Sequence, residues 1–352
     1  MSLSAPLRLL SRSPAARISR LLPGVLLATA VGLASLAVAY AETRLLGHLV
    51  VDGLVVAIIL GMLVRTFRPP GARTEAGVGF VAKEVLEVAV LLLGASVELP
   101  LLLRAGPGLA VGIVLLVVLG IGFSYGIGRA MGLPGKLSVL VACGNSICGN
   151  SAIAAVAPVI RAEREHVASA IAFTAILGVG VIVGLPLLID PLGLSHYQYG
   201  VLAGLTVYAV PQVLAAAFPV SALSGQVGTL VKLVRVLMLA PVVLFFALRY
   251  REDARDAATR PRLRLTRLVP WFIVGFLVLA GLRSTGAIGP AAAASMKELS
   301  TWLTVAAMAA LGLGVDLRAI ARVGRPVILT VSASLAALVV LAVALIRVLG
   351  VS

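Results

Sequence analysis

The apolar stretch Leu137–Ile160 is long enough to cross a bilayer, yet it carries the unit Cys-Gly-Asn-Ser twice at its middle, at Cys143–Ser146 and Cys148–Ser151. Gly144 and Gly149 are poor helix residues, and Asn145, Ser146, Asn150 and Ser151 bear polar atoms that hydrocarbon cannot satisfy. Polar groups at that depth must be buried in protein or must line a wet cavity. The segment is therefore expected to be a discontinuous helix whose broken centre faces a solute, as transporters commonly arrange. The competing account is a close helix–helix contact through small residues. It suits Ser151–Ala157 but not two Asn side chains near mid-bilayer.

The rest of the chain is membrane-like. Hydrophobic residues make up 61% of the 352 residues and charged ones 12%, and no polar stretch is long enough for a soluble domain. The expected fold class is an all-α integral membrane protein of about eleven spans: Leu21–Ala41, Leu45–Val64, Gly77–Val97, Gly108–Ile127, Leu137–Ile160, Val167–Ile189, Tyr199–Phe218, Val227–Leu248, Leu268–Leu282, Leu299–Leu317 and Pro326–Leu349. Residues 1–20 are expected to form a basic cytoplasmic segment, residues 21–349 a single transmembrane domain, and residues 249–267 a basic loop. The shortest span, Leu268–Leu282, is expected to extend through Gly286–Ala294.

The net charge of +15 would suggest nucleic acid in a soluble protein. Here it follows membrane topology. With the N-terminus inside and spans alternating, nineteen Lys and Arg fall on the cytoplasmic side and seven outside. The chain is thus expected to have its N-terminus inside and its C-terminus outside. The two cysteines, Cys143 and Cys148, have no partners for a zinc set and read as small buried residues.

Other polar residues lie within spans. Lys232 and Arg235 are three apart on one helix face and would suit an anionic substrate, although Lys232 could equally reach the outer headgroups. Asp52, with His48 one turn earlier, and Glu87, which Lys83 can pair within its helix, are candidates for coupling to protons or sodium. Each also has a plain structural account near the interface. Pro211 and Gln212 in the seventh span read as a packing kink, with a bend lining the pathway as the alternative; Gly178, Gly180, Gly184 and Pro186 should loosen the sixth span, and Gly312 and Gly314 the tenth. Leu93–Leu99 echoes Leu311–Leu317, and Arg104-Ala105-Gly106 echoes Arg322-Val323-Gly324. These spans would have opposite orientation, as in an inverted repeat. No motif of an enzyme, cofactor or metal site is present.

Gly144–Ile160, together with Leu60–Leu63, Leu92–Gly94 and Ala309–Leu317, resembles a family of largely uncharacterised bacterial inner-membrane proteins designated sulfate exporters, grouped with bile acid and arsenite transporters. The family pattern has smaller residues where this chain has Asn145 and Asn150, which leaves room for a different substrate. The resemblance implies inverted repeats with two crossed, broken helices, Leu137–Ile160 and, as candidate, Leu299–Leu317. It also implies a secondary transporter of a small anion such as sulfate or a sulfonate. Asn145, Ser146, Gly149, Asn150 and Ser151 would form the site, Arg235 and Lys232 would supply charge, and Asp52 or Glu87 would couple the ion. A passive channel is the alternative. Beyond the bilayer, the expected partners are the solute and a sodium ion or proton; a homo-oligomer is compatible with the same features.

Overall fold

The computed structural model describes residues 14–46, 52–96, 106–250, 270–316, 318 and 325–350. Within them the chain is built from helices. In order these are α1 Pro14–Leu46, α2 Gly53–Phe67, α3 Ala72–Phe80, a π-helical turn Val81–Val85, α4 Leu86–Leu93 with a 3₁₀ end Gly94–Ser96, α5 Gly106–Ala130, α6 Gly135–Cys143, a π-helical turn Gly144–Cys148 and α7 Asn150–Val156. Then come α8 Arg164–Gly184, a 3₁₀ turn Leu185–Leu188, α9 Ile189–Leu192, α10 His196–Thr206, α11 Val210–Ala217, α12 Ala222–Leu237, α13 Leu239–Arg249, α14 Trp271–Ser284, α15 Pro290–Leu313 and α16 Arg325–Val348. Each expected span falls, in its described part, on one helix or one interrupted helix, except that Leu45 and Leu46 at the start of the second belong to the end of α1.

This is a multi-pass membrane protein. Ile18–Leu45, Pro107–Ala130, Arg164–Leu192, Ala222–Arg249 and Pro326–Val348 are each long and apolar enough to cross a bilayer, and Gly53–Phe67, Gly135–Cys148 and Trp271–Ser284 are shorter apolar helices. Helix α5 exposes Val111, Leu115, Val118, Leu119 and Phe123. Water would penalise such a stripe, whereas lipid accepts it. The N-terminal residues 1–13, His48, Glu98, Arg104, most of the basic loop (251–267) and the echo partner Arg322-Val323-Gly324 lie outside the described residues.

The helices pack into two compact units, Met1–Val88 with Thr301–Asp316, and Ala89–Ser300 with Leu317–Ser352. The first holds α1–α3, the start of α4 and the end of α15. Without a hydrophobic drive between helices in lipid, close backbone approach through small residues is what holds them. A β-carbon on Gly24 would meet the backbone of Thr74, Gly77 and Val78, and one on Gly61 that of Ala309, Gly312 and Leu313. Gly312 is where α15 lies against Ile58 and Gly61 of α2, and the helix ends just before Gly314.

The second unit contains α5–α14 and α16. Here α10 and α12 run backbone against backbone. A β-carbon on Gly200 would lie 2.8 Å from the Ser224 carbonyl oxygen, one on Gly204 would meet that of Gly228 at 2.5 Å, and one on Gly228 that of Gly200 at 3.0 Å. This contact sets the two helices in register, and one turn past Gly228 it brings Lys232 to the end of α10.

Several expectations need correction. The tenth span is one helix as far as Leu313, since α15 runs from Pro290 to Leu313 and Gly314–Asp316 after it are not helical. The second interrupted helix is the seventh span, where Val207 and Ala209 are extended (ψ 144° and 152°) between α10 and α11. Pro211 explains the break, because proline in the first turn of α11 gives up an N–H that has no intrahelical partner anyway. The sixth span stays helical through Gly178, Gly180 and Gly184, and Pro186 opens its 3₁₀ turn. Leu268–Leu282 does not extend, since the chain turns after Ser284 and residues from Pro290 onward belong to α15. Lys83 pairs with Glu84 at 3.9 Å, because the π-helical turn alters the spacing that would face it to Glu87.

Gly61→Val is expected to destabilise the protein by about 1–3 kcal/mol, since the clash is with backbone that cannot repack. Thermal unfolding in detergent measures this. Gly79→Ala, at a helical glycine with nothing within 4 Å, is the control and should not lower Tm.

Candidate functional site

The doubled motif is interrupted as its glycines demand. Helix α6 loosens into the π-helical turn Gly144–Cys148, whose last bond runs from the Gly149 N–H to the Gly144 carbonyl at 2.8 Å. The chain then breaks at Gly149 with φ 68° and ψ −126°, a conformation that a side chain strongly disfavours. Helix α7 restarts at Asn150. A β-carbon on Gly149 would touch the Tyr208 β-carbon at 3.3 Å, so the break of the fifth span lies against the break of the seventh.

A half-helix ends in carbonyls without intrahelical donors, and its dipole makes that end negative. Two such ends meet here, and Lys232 and Arg235 of α12 satisfy both. The Lys232 ammonium donates to the Ile147 carbonyl at 2.6 Å and to the Val207 carbonyl at 2.8 Å, one from each interrupted helix. Arg235 Nε donates to the Ser146 carbonyl at 2.6 Å, and Nη2 donates to the Asn145 carbonyl. Its Nη1 reaches the carbonyls of Val207 at 3.3 Å and Gly204 at 3.4 Å. Both cations are completely buried, so Lys232 does not reach for headgroups. Neither is paired with a described carboxylate; the ion pairs seen are Arg65–Glu75 and Lys83–Glu84.

Three fully buried polar atoms flank the pair and have no hydrogen-bond partner among the described residues: Asn145 Oδ1, Ser146 Oγ and Tyr208 Oη. The Asn145 amide nitrogen reaches only Ser124 Oγ, at 3.5 Å. An orphaned buried polar group is costly, about 1–3 kcal/mol. Three of them lie here beside two cations that have carbonyl partners but no described carboxylate. Cys143 and Cys148 are buried free thiols, as expected.

Asn150 and Ser151 occupy the first turn of α7 and are exposed, unlike Asn145 and Ser146. The Thr174 hydroxyl of α8 donates to Asn150 Oδ1 at 2.6 Å. In the first turn of α11, Gln212 Oε1 accepts the Ala209 N–H at 3.1 Å, half of a capping box. The motif residues Asn145–Ser151 and the pair Lys232–Arg235 are thus brought together, and Tyr208, Thr174 and Gln212 join them. Pro211 with Gln212 three residues after an extended Ala209 was the available sequence signal, since both mark a helix start. Asp52 and Glu87 belong to the first unit. Asp52 is the N-cap of α2, its carboxylate accepting the Leu54 N–H at 2.8 Å, and Glu87 is half-buried.

The family model described as Conserved hypothetical protein 698 matches residues 23–331. A UPF0324 membrane protein of Brucella melitensis is 53% identical over 336 residues, covering 96% of this chain and 93% of the relative. The UPF0324 membrane protein TauZ of Paracoccus denitrificans is 34% identical over 340 residues, covering 95% of this chain and 100% of the relative. A UPF0324 membrane protein of Bacillus cereus is 34% identical over 271 residues, covering 77% and 79%.

Replacing Arg235 by Met should cost about 1–3 kcal/mol for each carbonyl left without a donor. Thermal unfolding in detergent should reveal a large fall in Tm, against little change for Met at the exposed Arg20.

Proposed function

We propose that this chain, which belongs to the family described as Conserved hypothetical protein 698 with relatives named UPF0324 membrane proteins, is a secondary transporter of a small anion such as sulfate or a sulfonate. The observation that carries this reading is the pair Lys232 and Arg235, buried between two interrupted helices with no described carboxylate beside them. Backbone dipoles offset part of that charge. A bound anion would offset the remainder, which makes the site selective by sign. Asn145, Ser146, Gly149, Asn150 and Ser151 form the binding region, with the two cations acting through the field behind it. Their direct work on carbonyls makes them structural as well as electrostatic.

In this reading the protein is not an enzyme and works by alternating access, in the inner membrane with its N-terminus inside. The excess of Lys and Arg on that side supports the orientation. Coupling to a proton or sodium ion through Asp52 or Glu87 completes the proposal. A passive channel would use the same charge but would neither saturate nor respond to an ion gradient.

Uptake of labelled sulfate into proteoliposomes, with imposed pH and sodium gradients and with sulfonates and carboxylates as competitors, tests this. Saturable, gradient-driven uptake is expected. Unsaturable, gradient-independent flux favours the channel. No uptake, with no competitor shifting Tm, overturns the anion assignment. Asn150→Leu should abolish uptake and leave Tm nearly unchanged, because the side chain is exposed.

A further inference from the structure

We infer that Gln212 is a substrate-contacting residue whose carboxamide NH₂, together with that of Asn150, grips the oxyanion head of the transported solute over the Thr174–Gly178 face of α8; this rests on the anion reading above. The orientation of the Gln212 amide is fixed by chemistry. A backbone N–H can only donate, so the bond from Ala209 at 3.1 Å commits the amide oxygen and turns the NH₂ away from it. That NH₂ has no acceptor among the described residues, although Gln212 is only 8% exposed. Two N–H donors at a nearly buried position are held ready and left unused.

Gly178 shows where the amide lies. A β-carbon there would overlap the Gln212 amide, meeting its Nε2 first and its Cδ and Oε1 at 2.7 Å, so the NH₂ end lies closest to the bare backbone of α8. One turn earlier on the same face, about 5–6 Å away, the Thr174 hydroxyl meets the Asn150 amide oxygen at 2.6 Å, with the Ile171 and Ala170 carbonyls at 3.1 and 3.2 Å competing for its one proton. The Asn150 NH₂ likewise lacks an acceptor among the described residues. Two carboxamides from two interrupted helices lie along one face of α8, Gln212 anchored by its oxygen on the Ala209 N–H and Asn150 on the Thr174 hydroxyl, and the amide nitrogens of both lack an acceptor among the described residues. Such a pair matches a group with several acceptor oxygens and no donors, such as a sulfonate, sulfate or carboxylate. It does not match a cation or a solute that must donate.

The test is ligand-induced stabilisation of the purified full-length protein by sodium sulfate and sodium methanesulfonate. Gln212→Glu keeps the oxygen that caps Ala209 but replaces the donors with a negative charge. It should weaken binding of both probes by about tenfold or more. Lowering the pH should restore part of that binding in this variant alone, because a protonated carboxyl regains a donor; a residue that only supports the helix would not respond so. Gly178→Ala displaces the amide without altering its chemistry, and should weaken binding several-fold if the Glu variant does not fold. Unchanged affinity in the folded variants overturns the role of Gln212 while leaving the anion reading intact. Absence of any shift in the unmutated protein overturns the anion reading itself.

Discussion

Two carbonyl-terminated half-helices cannot end side by side inside a membrane protein without donors. The dipoles repel, and each free carbonyl loses its water. Lys232 and Arg235 remove that conflict by bonding to carbonyls of Asn145, Ser146, Ile147, Gly204 and Val207. Low dielectric strengthens each of these bonds, and the same low dielectric makes the unpaired positive charge costly. The site therefore rests on a partial compensation. The cations hold the breaks open, and the breaks leave the cations short of negative charge.

Placing those cations requires a particular packing. Lys232 and Arg235 reach the breaks because α12 lies directly against α10 at Gly200, Gly204 and Gly228. A larger residue at any of these would push α12 outward and lift both head groups from their carbonyls. The opposite side of the breaks is dressed differently. There Asn150 and Gln212 are held by Thr174 and by the Ala209 backbone, neutral groups beside α8 on a different side from the cations. In the proposed transporter, contact with the solute falls to the carboxamides and the field to the cations, which also hold the helices interrupted.

Much of this was legible in advance. The doubled Cys-Gly-Asn-Ser unit marked a break because glycine and asparagine side by side in an apolar span neither favour a helix nor suit lipid, and the break falls at Gly149. Lys232 and Arg235 stood out because cations are rare in spans. Their actual partners were not legible, since backbone carbonyls 25 to 90 residues away carry no sequence signature. The second interrupted helix was misplaced for a related reason. Gly312 and Gly314 looked like loosening residues, yet Gly312 marks a helix crossing, while Pro211 looked like an ordinary kink and begins a half-helix. A glycine that breaks a helix and one that admits a neighbour are the same letter.

The sequence by itself determined an all-α membrane protein, the helical stretches and the interruption at the doubled motif. These depend on local hydropathy and backbone preference, which act over a few residues. Only the tertiary structure decided that the seventh span supplies the second break, that two buried cations cap both breaks, and that Gln212 and Thr174 stand beside Asn150. Those outcomes depend on which helix surfaces can approach closely enough to touch. That is a property of pairs of segments, and no single segment encodes it.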